Sequence, residues 1–228
     1  MNTQSNPTNV AVLDGNRLFL EFLVTAISGW REYQICIQAS DQIDFLSQLE
    51  NLNDSFPDVL ILDILLEKTN TYKLIKKIKD NWPYLKVLVL STCVHEMTIR
   101  EMQVLGVNGF LDKNLTSSLE LRRALTNISY HGHYLSNLYS VVKSQQRKSI
   151  KSVLMTIPPR EIEFLKLCLN DYTYDEIAST MSVSRHTVET YRDNLFARFA
   201  VHSKTALLVY AIRTGIVNLN LNQRSEIN

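Results

Sequence analysis

The sequence predicts an α/β domain followed by an all-α domain, and three observations predict it. Residues 10–131 alternate short apolar runs with amphipathic stretches five times over. Apolar strands that alternate with helices form a parallel sheet covered on both faces, a doubly wound (βα)5 build. Residues 153–219 show only helical spacing, with a capping pattern and a three-residue turn. The charge also divides: residues 1–131 hold 12 Lys/Arg and 15 Asp/Glu, net −3, whereas residues 132–228 hold 12 and 8, net +4. An acidic front and a basic back fit a regulatory unit joined to one that binds nucleic acid. The expected organisation is a first domain over 1–131, a linker over 132–152, a helical domain over 153–219 and a tail over 220–228.

In chain order, Val10–Leu13 is a short apolar run ending at Asp14, and Leu18–Ile27 follows as a helix. Tyr33–Gln38 is the second strand and Ile43–Leu49 a short helix. Val59–Leu62 is the third run, ending at Asp63, with a helix over Tyr72–Ile78. Val87–Leu90 is the fourth, ending at Ser91-Thr92, with a helix over Met97–Leu105. Gly109–Leu111 is the fifth, followed by Lys113, and Leu119–Ile128 closes the series. In doubly wound sheets the functional groups gather at the carboxyl ends of the strands. Here those ends carry Asp14, Asp63, Ser91 and Lys113.

The helical domain opens near Pro159, a residue suited to a first helical turn. Ile162, Leu165 and Leu169 are its expected buried stripe. Thr173 and Glu176 make a reciprocal T-x-x-E capping box, and Ile177 and Met181 share one face. After the break at Ser182-Val183-Ser184, Ser184 caps a second helix with Val188, Leu195 and Phe199 as its buried stripe. The opposite face carries Arg185, His186, Glu189, Thr190 and Asp193. A short helix, a tight turn and a longer helix with a polar outer face is a helix-turn-helix, whose second helix fits the major groove. Arg185, Thr187 and Arg192 are candidates for phosphate contact, which positions without reading sequence. His186, Glu189, Thr190 and Asp193 form the groove face; a carboxylate there can accept from cytosine N4 or pair with an arginine of its own helix. Ser203 caps a last helix bearing Leu207, Val209, Tyr210 and Ile212.

Other classes are disfavoured. No apolar run reaches the roughly 18–20 residues that a membrane helix needs, and the polar start MNTQSNPTNV is no secretion leader. Cys36, Cys93 and Cys168 are isolated and odd in number, which fits buried thiols in a reducing, cytoplasmic setting. His131-Gly132-His133 lacks the further ligands of a structural zinc site. There is no G-x-S-x-G, no G-x-G-x-x-G and no P-loop, and with six glycines in all the chain is not expected to be an enzyme.

Two segments resemble known families. The first is carried by VAVLD (Val10–Asp14), PDVLILD (Pro57–Asp63), W-P-x-x-KVLVLS (Trp82–Ser91) and GVNGFLDK (Gly106–Lys113), and resembles the receiver domain of two-component response regulators. The second runs from PPRE (Pro158–Glu161) through TYDEIA, S-x-S-x-x-T-V, NLF and V-x-S-K-T to AIRTGI. It resembles the DNA-binding domain of LuxR-type regulators. A receiver followed by such a domain is the NarL/FixJ arrangement. The resemblance implies a flavodoxin-like receiver, phosphorylated at Asp63 by a sensor histidine kinase. Ser91 and Lys113 would contact the phosphoryl group, and Phe110 stands at the aromatic switch position. Mg²⁺ would be bound through Asp14 and Asp63. The output would be a homodimer on operator DNA, because a chain of such small net charge needs two half-sites.

Departures from the pattern leave alternatives open. The family usually has two adjacent acidic residues after the first strand, where this chain has Asp14-Gly15; a lost anionic ligand weakens Mg²⁺ binding. Glu67 or Asn16 are the candidate replacements for the missing oxygen. Either Asp63 is a working acceptor with a weak metal demand, or the receiver is regulated without phosphorylation. The acidic outer face also leaves open an adaptor whose helical domain binds a protein rather than DNA.

Overall fold

Val, Ile and Leu dominate the strand segments, and their side chains fill both faces of a central parallel sheet. The computed structural model describes residues 6–52, 55–66, 69–92, 96–134, 157–170 and 172–217. The chain divides into two units, Met1–Lys151 and Ser152–Asn228. The expected linker over 132–152, apart from Gly132 to Tyr134, and the tail over 220–228 lie outside the described residues.

The first unit runs β1 (Thr8–Leu13), α1 (Arg17–Ser28), β2 (Tyr33–Ala39), α2 (Gln42–Asn51), β3 (Val59–Leu62), α3 (Thr71–Asn81), β4 (Lys86–Ser91), α4 (Glu96–Val104), β5 (Gly109–Asp112) and α5 (Ser118–His131). The sheet order is β2-β1-β3-β4-β5 with every pair parallel. This is the flavodoxin-like order, whose direction of winding reverses between β1 and β3. Strand side chains alternate between faces. Val10, Val12, Val59, Ile61, Leu88, Leu90 and Leu111 pack with Leu20, Leu23 and Ile27 of α1 and Leu121, Ala124, Leu125 and Ile128 of α5. The alternate residues Ala11, Leu13, Leu60, Leu62, Val87, Val89 and Phe110 are equally buried on the other face. Each fully buried Leu, Ile or Phe contributes about 1.5–3 kcal/mol. The strand expected over Tyr33–Gln38 is not wholly apolar: as an edge strand, β2 leaves Gln34 and Gln38 exposed.

Side-chain caps set the helix starts. Asn16, Asp41, Asn70 and Ser117 accept from backbone N–H groups in the first turns of α1, α2, α3 and α5. Gly132 ends α5 in the left-handed conformation, φ 79°. Gly109 allows a close approach: a Cβ there would lie 3.0 Å from both Leu88 Cδ1 and Ile128 Cδ1 and 3.3 Å from Tyr134 Cβ. Tyr134 uses that proximity, forming a parallel bridge with Gly109 and donating its N–H to the Asn108 carbonyl at 2.9 Å.

The second unit contains α6 (Pro159–Leu167), α7 (Tyr174–Thr180), α8 (Arg185–Phe199) and α9 (Lys204–Arg213). The stripe of α6 differs from the one expected. Glu161, Phe164 and Leu165 are buried, Ile162 is half-buried, and Leu169 falls beyond the helix end, where Cys168 is buried instead. The Phe164 ring explains the rotation, because it sits 6.3 Å from the ring of Tyr174 and 6.4 Å from that of Tyr191. The Thr173–Glu176 capping box forms in both directions. Ser184 and Ser203 cap α8 and α9. Met181 and Ile177 are buried, as are Val188, Leu195 and Phe199.

Helix α8 ends at Ala200, which is left-handed with φ 52°. A non-glycine residue there carries about 1–2 kcal/mol of strain, offset in part by the greater chain entropy that glycine has when unfolded. Ala200→Gly is therefore expected to stabilise the second unit by roughly 0.5–1 kcal/mol. Helical circular dichroism during denaturant titration measures this, since both tryptophans, Trp30 and Trp82, lie in the first unit.

Candidate phosphoryl-acceptor site and nucleic-acid interface

The sheet ladder itself assembles the first site. Asp14, Asp63 and Lys113 each stand at or next to the carboxyl end of a strand, and each donates its N–H to the last residue of a neighbouring strand. Asp14 donates to Ala39 O at 3.2 Å, Asp63 to Leu13 O at 3.0 Å and Lys113 to Ser91 O at 3.1 Å. Asp14 and Asp63 thus flank the reversal between β1 and β3, the place where doubly wound sheets bind ligands. Both are buried, 2% and 6% exposed.

Lys113 Nζ lies 2.6 Å from Asp14 Oδ2 and 2.6 Å from Asp63 Oδ2. The other oxygens are also engaged: Asn16 N–H donates to Asp14 Oδ1 at 2.9 Å, and Leu65 N–H to Asp63 Oδ1 at 3.1 Å. The ammonium also sits 4.6 Å from the centroid of Phe19, a cation–π contact that adds to its anchoring. Burial raises the Asp14 carboxyl above its ordinary range, against the pull of Lys113, and the neighbouring Asp63 adds to the rise. Ser91 and Phe110 are fully buried at the end and in the middle of their strands. Asn16 is spent on capping α1 through Phe19 N–H, 3.1 Å, and Glu67 lies outside the described residues.

Two contacts of this site are not readable from motifs: Phe19, on an amphipathic helix, lies against Lys113, and the Thr71 hydroxyl donates to Ile64 O at 2.7 Å, tying down the loop after Asp63.

The donor chemistry fits a hard cation. Two carboxylates lie side by side about the Lys113 ammonium, and Mg²⁺ characteristically takes one or two carboxylates and keeps several waters. No cluster of three or more His, Cys, Asp or Glu is present among the described residues. With Lys113 seated, the three charged groups sum to −1. Packing does not impose this low charge. A Cβ at Gly15 would meet only ordinary contacts, with Leu65 O at 3.8 Å and Leu66 Cδ2 at 3.9 Å.

The second site is the outer face of α8. With Val188, Leu195 and Phe199 inward, a turn of 100° per residue directs His186, Thr190 and Asp193 outward, and all three are exposed. The cations are less free than their positions suggest. Arg185 donates from Nη1 to Asp175 Oδ2 at 2.6 Å and from Nε to Glu189 Oε1 at 3.2 Å. Arg192 donates to Asp193 Oδ1 at 2.8 Å, and its guanidinium carbon lies 5.6 Å from the Tyr174 centroid. Thr187 belongs to the helix start, with Oγ1 2.8 Å from Ser184 Oγ. Beneath α8, the buried Glu161 accepts from Asn194 Nδ2 at 3.2 Å and faces Arg198 Nη2 at 3.8 Å. Glu161 is legible in the sequence only as the last letter of PPRE; its role as an anchor for α8 is not.

The chain belongs to the response-regulator family: residues 10–126 match the response regulator receiver domain, and residues 155–211 match the bacterial regulatory proteins of the luxR family. It is a response regulator with a LuxR-type DNA-binding domain. The transcriptional regulatory protein DegU of Brevibacillus brevis is 23% identical over 239 residues, covering 96% of this chain and all of that one. The response regulator protein VraR of Staphylococcus saprophyticus is 23% identical over 170 residues, 74% of this chain and 80% of its own. RcsB of Salmonella typhimurium shares the fold at TM-score 0.62 and 21% identity, covering 92% of this chain and 99% of that one. RcsB bound to promoter P1flhDC with the phosphomimetic BeF3− aligns at TM-score 0.58 and 19% identity, over 93% and 100% of the two chains.

The raised Asp14 carboxyl yields a stability prediction. Its folded pKa lies above the unfolded 3.8, so the ionised form opposes folding at neutral pH and that opposition disappears in acid. Asp14→Asn is expected to raise the melting temperature of the first unit by about 2–4 °C at neutral pH. The gap between variant and wild type should close as the pH falls below the ordinary carboxylate range. Tryptophan fluorescence during unfolding measures both, and a gap that widens in acid would contradict the assignment.

Proposed function

We propose that this response regulator is phosphorylated on Asp63, and that phosphorylation governs its dimerisation and its binding to operator DNA. The observation that carries the reading is the bridge from Lys113 to Asp14 and Asp63, 2.6 Å on each side, at the carboxyl edge of the sheet. A carboxylate at that edge is placed to act as nucleophile through an acyl phosphate. An Oδ atom of Asp63 attacks phosphorus, the bond from phosphorus to the donor (the ring nitrogen of a phosphohistidine or the bridging oxygen of acetyl phosphate) breaks with its electron pair going to the donor atom, and Lys113 stays beside the new negative charge. Asp14 holds Lys113 in place when Asp63 turns toward the donor. Ser91, at the adjoining strand end, serves the phosphoryl oxygens, and Phe110 is the buried aromatic residue of the switch. Asp14 and Asp63 would hold Mg²⁺, which supplies charge neutralisation at the phosphoryl oxygens when bound. The single acid at Asp14-Gly15 makes that demand a weak one.

The domain limits that accompany this reading are a receiver over 1–131, a linker over 132–152, a DNA-binding domain over 153–219 and a tail over 220–228. The partners are a sensor histidine kinase, a second copy of the chain and double-stranded DNA, in the cytoplasm. No single helix among the described residues is long and apolar enough to cross a membrane. The chain acts as a regulator rather than an enzyme. His186 and Thr190, both exposed, would face the major groove, with Arg192 as a flanking cation.

Acetyl phosphate with Mg²⁺ is expected to add one phosphoryl group to the wild type and none to Asp63→Asn, read by intact mass. A wild type that stays unmodified by donor and kinase alike would favour regulation without phosphate. On the DNA side, Arg192→Ala is expected to weaken binding to all duplexes alike and to reduce the salt slope by about 1. Fluorescence anisotropy across a salt series reads that slope, and an unchanged slope would remove Arg192 from the phosphate contacts.

A further inference from the structure

The leading end of α8 holds an ion cluster that spans both helices of the helix-turn-helix. Asp175 on α7 holds Arg185 Nη1 at 2.6 Å, and Arg185 Nε holds Glu189 Oε1 at 3.2 Å, one turn further along α8. The cluster carries two carboxylates and one guanidinium, a sum of −1, at the N-terminal end of α8. An arrangement built for phosphate contact would leave the cation free. Here the guanidinium has committed two of its edges to carboxylates. Glu189 uses one oxygen for Arg185, and Oε2 accepts no hydrogen bond among the described residues. Its side chain is 33% exposed, on the flank of the outward face formed by His186, Thr190 and Asp193.

An ionised carboxylate can only accept hydrogen bonds. In the major groove guanine shows two acceptors and thymine an acceptor and a methyl group; adenine sets its amino donor beside the N7 acceptor. Cytosine alone shows a donor without an acceptor. A carboxylate held rigid at the groove edge is therefore attracted by one base and repelled, to differing degrees, by the others. We propose that Glu189 is a specificity-determining residue whose carboxylate accepts a hydrogen bond from cytosine N4, with Arg185 and Asp175 as the positioning residues that hold it. This rests on α8 entering the major groove, and it moves Arg185 from phosphate contact to the orientation of Glu189.

The test is selection from a randomised duplex pool with the full chain, with and without acetyl phosphate, for wild type, Glu189→Gln and Asp175→Asn. Asp175 is exposed and Glu189 partly so, and circular dichroism verifies folding. The wild type is expected to enrich cytosine at one position of each half-site. Glu189→Gln, which regains a donor, should shift that single position toward adenine and lower the cytosine preference roughly 10- to 100-fold. Asp175→Asn should weaken the preference at the same position and leave the rest of the motif intact; a purely structural role would lower affinity for every sequence equally. Identical motifs for wild type and Glu189→Gln overturn the proposal, as does a wild type that binds all duplexes without preference. Absence of any binding to random duplex in low-salt anisotropy is a different result, because it removes the DNA reading itself.

Discussion

A buried ammonium shared by two buried carboxylates is the interaction around which the first unit is arranged. Removing Lys113 would leave two buried carboxylates repelling each other, whereas removing either acid would leave a neutral pair. The sheet provides the precision, since each of the three residues is fixed by a backbone hydrogen bond to the neighbouring strand. The order β2-β1-β3 brings the two acids side by side although 49 positions separate Asp14 from Asp63 in the chain. The arrangement is electrostatically tense as well as tight. Burial and the second acid work against ionisation of Asp14, and Lys113 works for it. Burial prevails, so the Asp14 carboxyl stays above its ordinary range even with Lys113 beside it.

The second unit solves a different problem, that of holding a largely polar helix outward. Helix α8 has a narrow apolar stripe, so its orientation rests on few contacts. Val188 and Leu195 are buried outright, Phe199 stacks on Tyr210 at 4.4 Å, and the buried Glu161 reaches up to Asn194. Caps at Ser184 and Thr173 fix where both helices of the motif begin. Its exposed ion pairs contribute little to stability. Their effect is to determine which charges a duplex would meet.

Much of this was legible in the sequence, for a physical reason. Strands buried on both faces are apolar throughout, so Val59–Leu62 and Val87–Leu90 stand out against their surroundings. The four residues at the strand ends follow from that register, and the capping box from the T-x-x-E spacing. The unreadable parts depend on side chains distant in sequence. The rotation of α6 follows from where the rings of Phe164, Tyr174 and Tyr191 meet, and spacing alone favoured Ile162 and Leu169. Phe19 beside Lys113, Thr71 beneath Ile64 and Asp175 beside Arg185 are pairings between separate elements. No periodicity encodes them. The edge position of β2 likewise emerges only from the strand order, after which its exposed glutamines are natural.

The shortest strand has two attachments of unlike kind. One end of β5 leads directly into Lys113, and the other begins at Gly109, where Tyr134, the last described residue after α5, lies alongside. Only four residues, about 13 Å of extended chain, separate them. β5 therefore joins the charged rim to the bridge with Tyr134. A shift of β5 along its own axis would disturb the bridge at Gly109, where a methyl group could enter only if the side chains of Leu88, Ile128 and Tyr134 gave way by a few tenths of an ångström. Whatever moves Lys113 along that line is therefore felt at Tyr134.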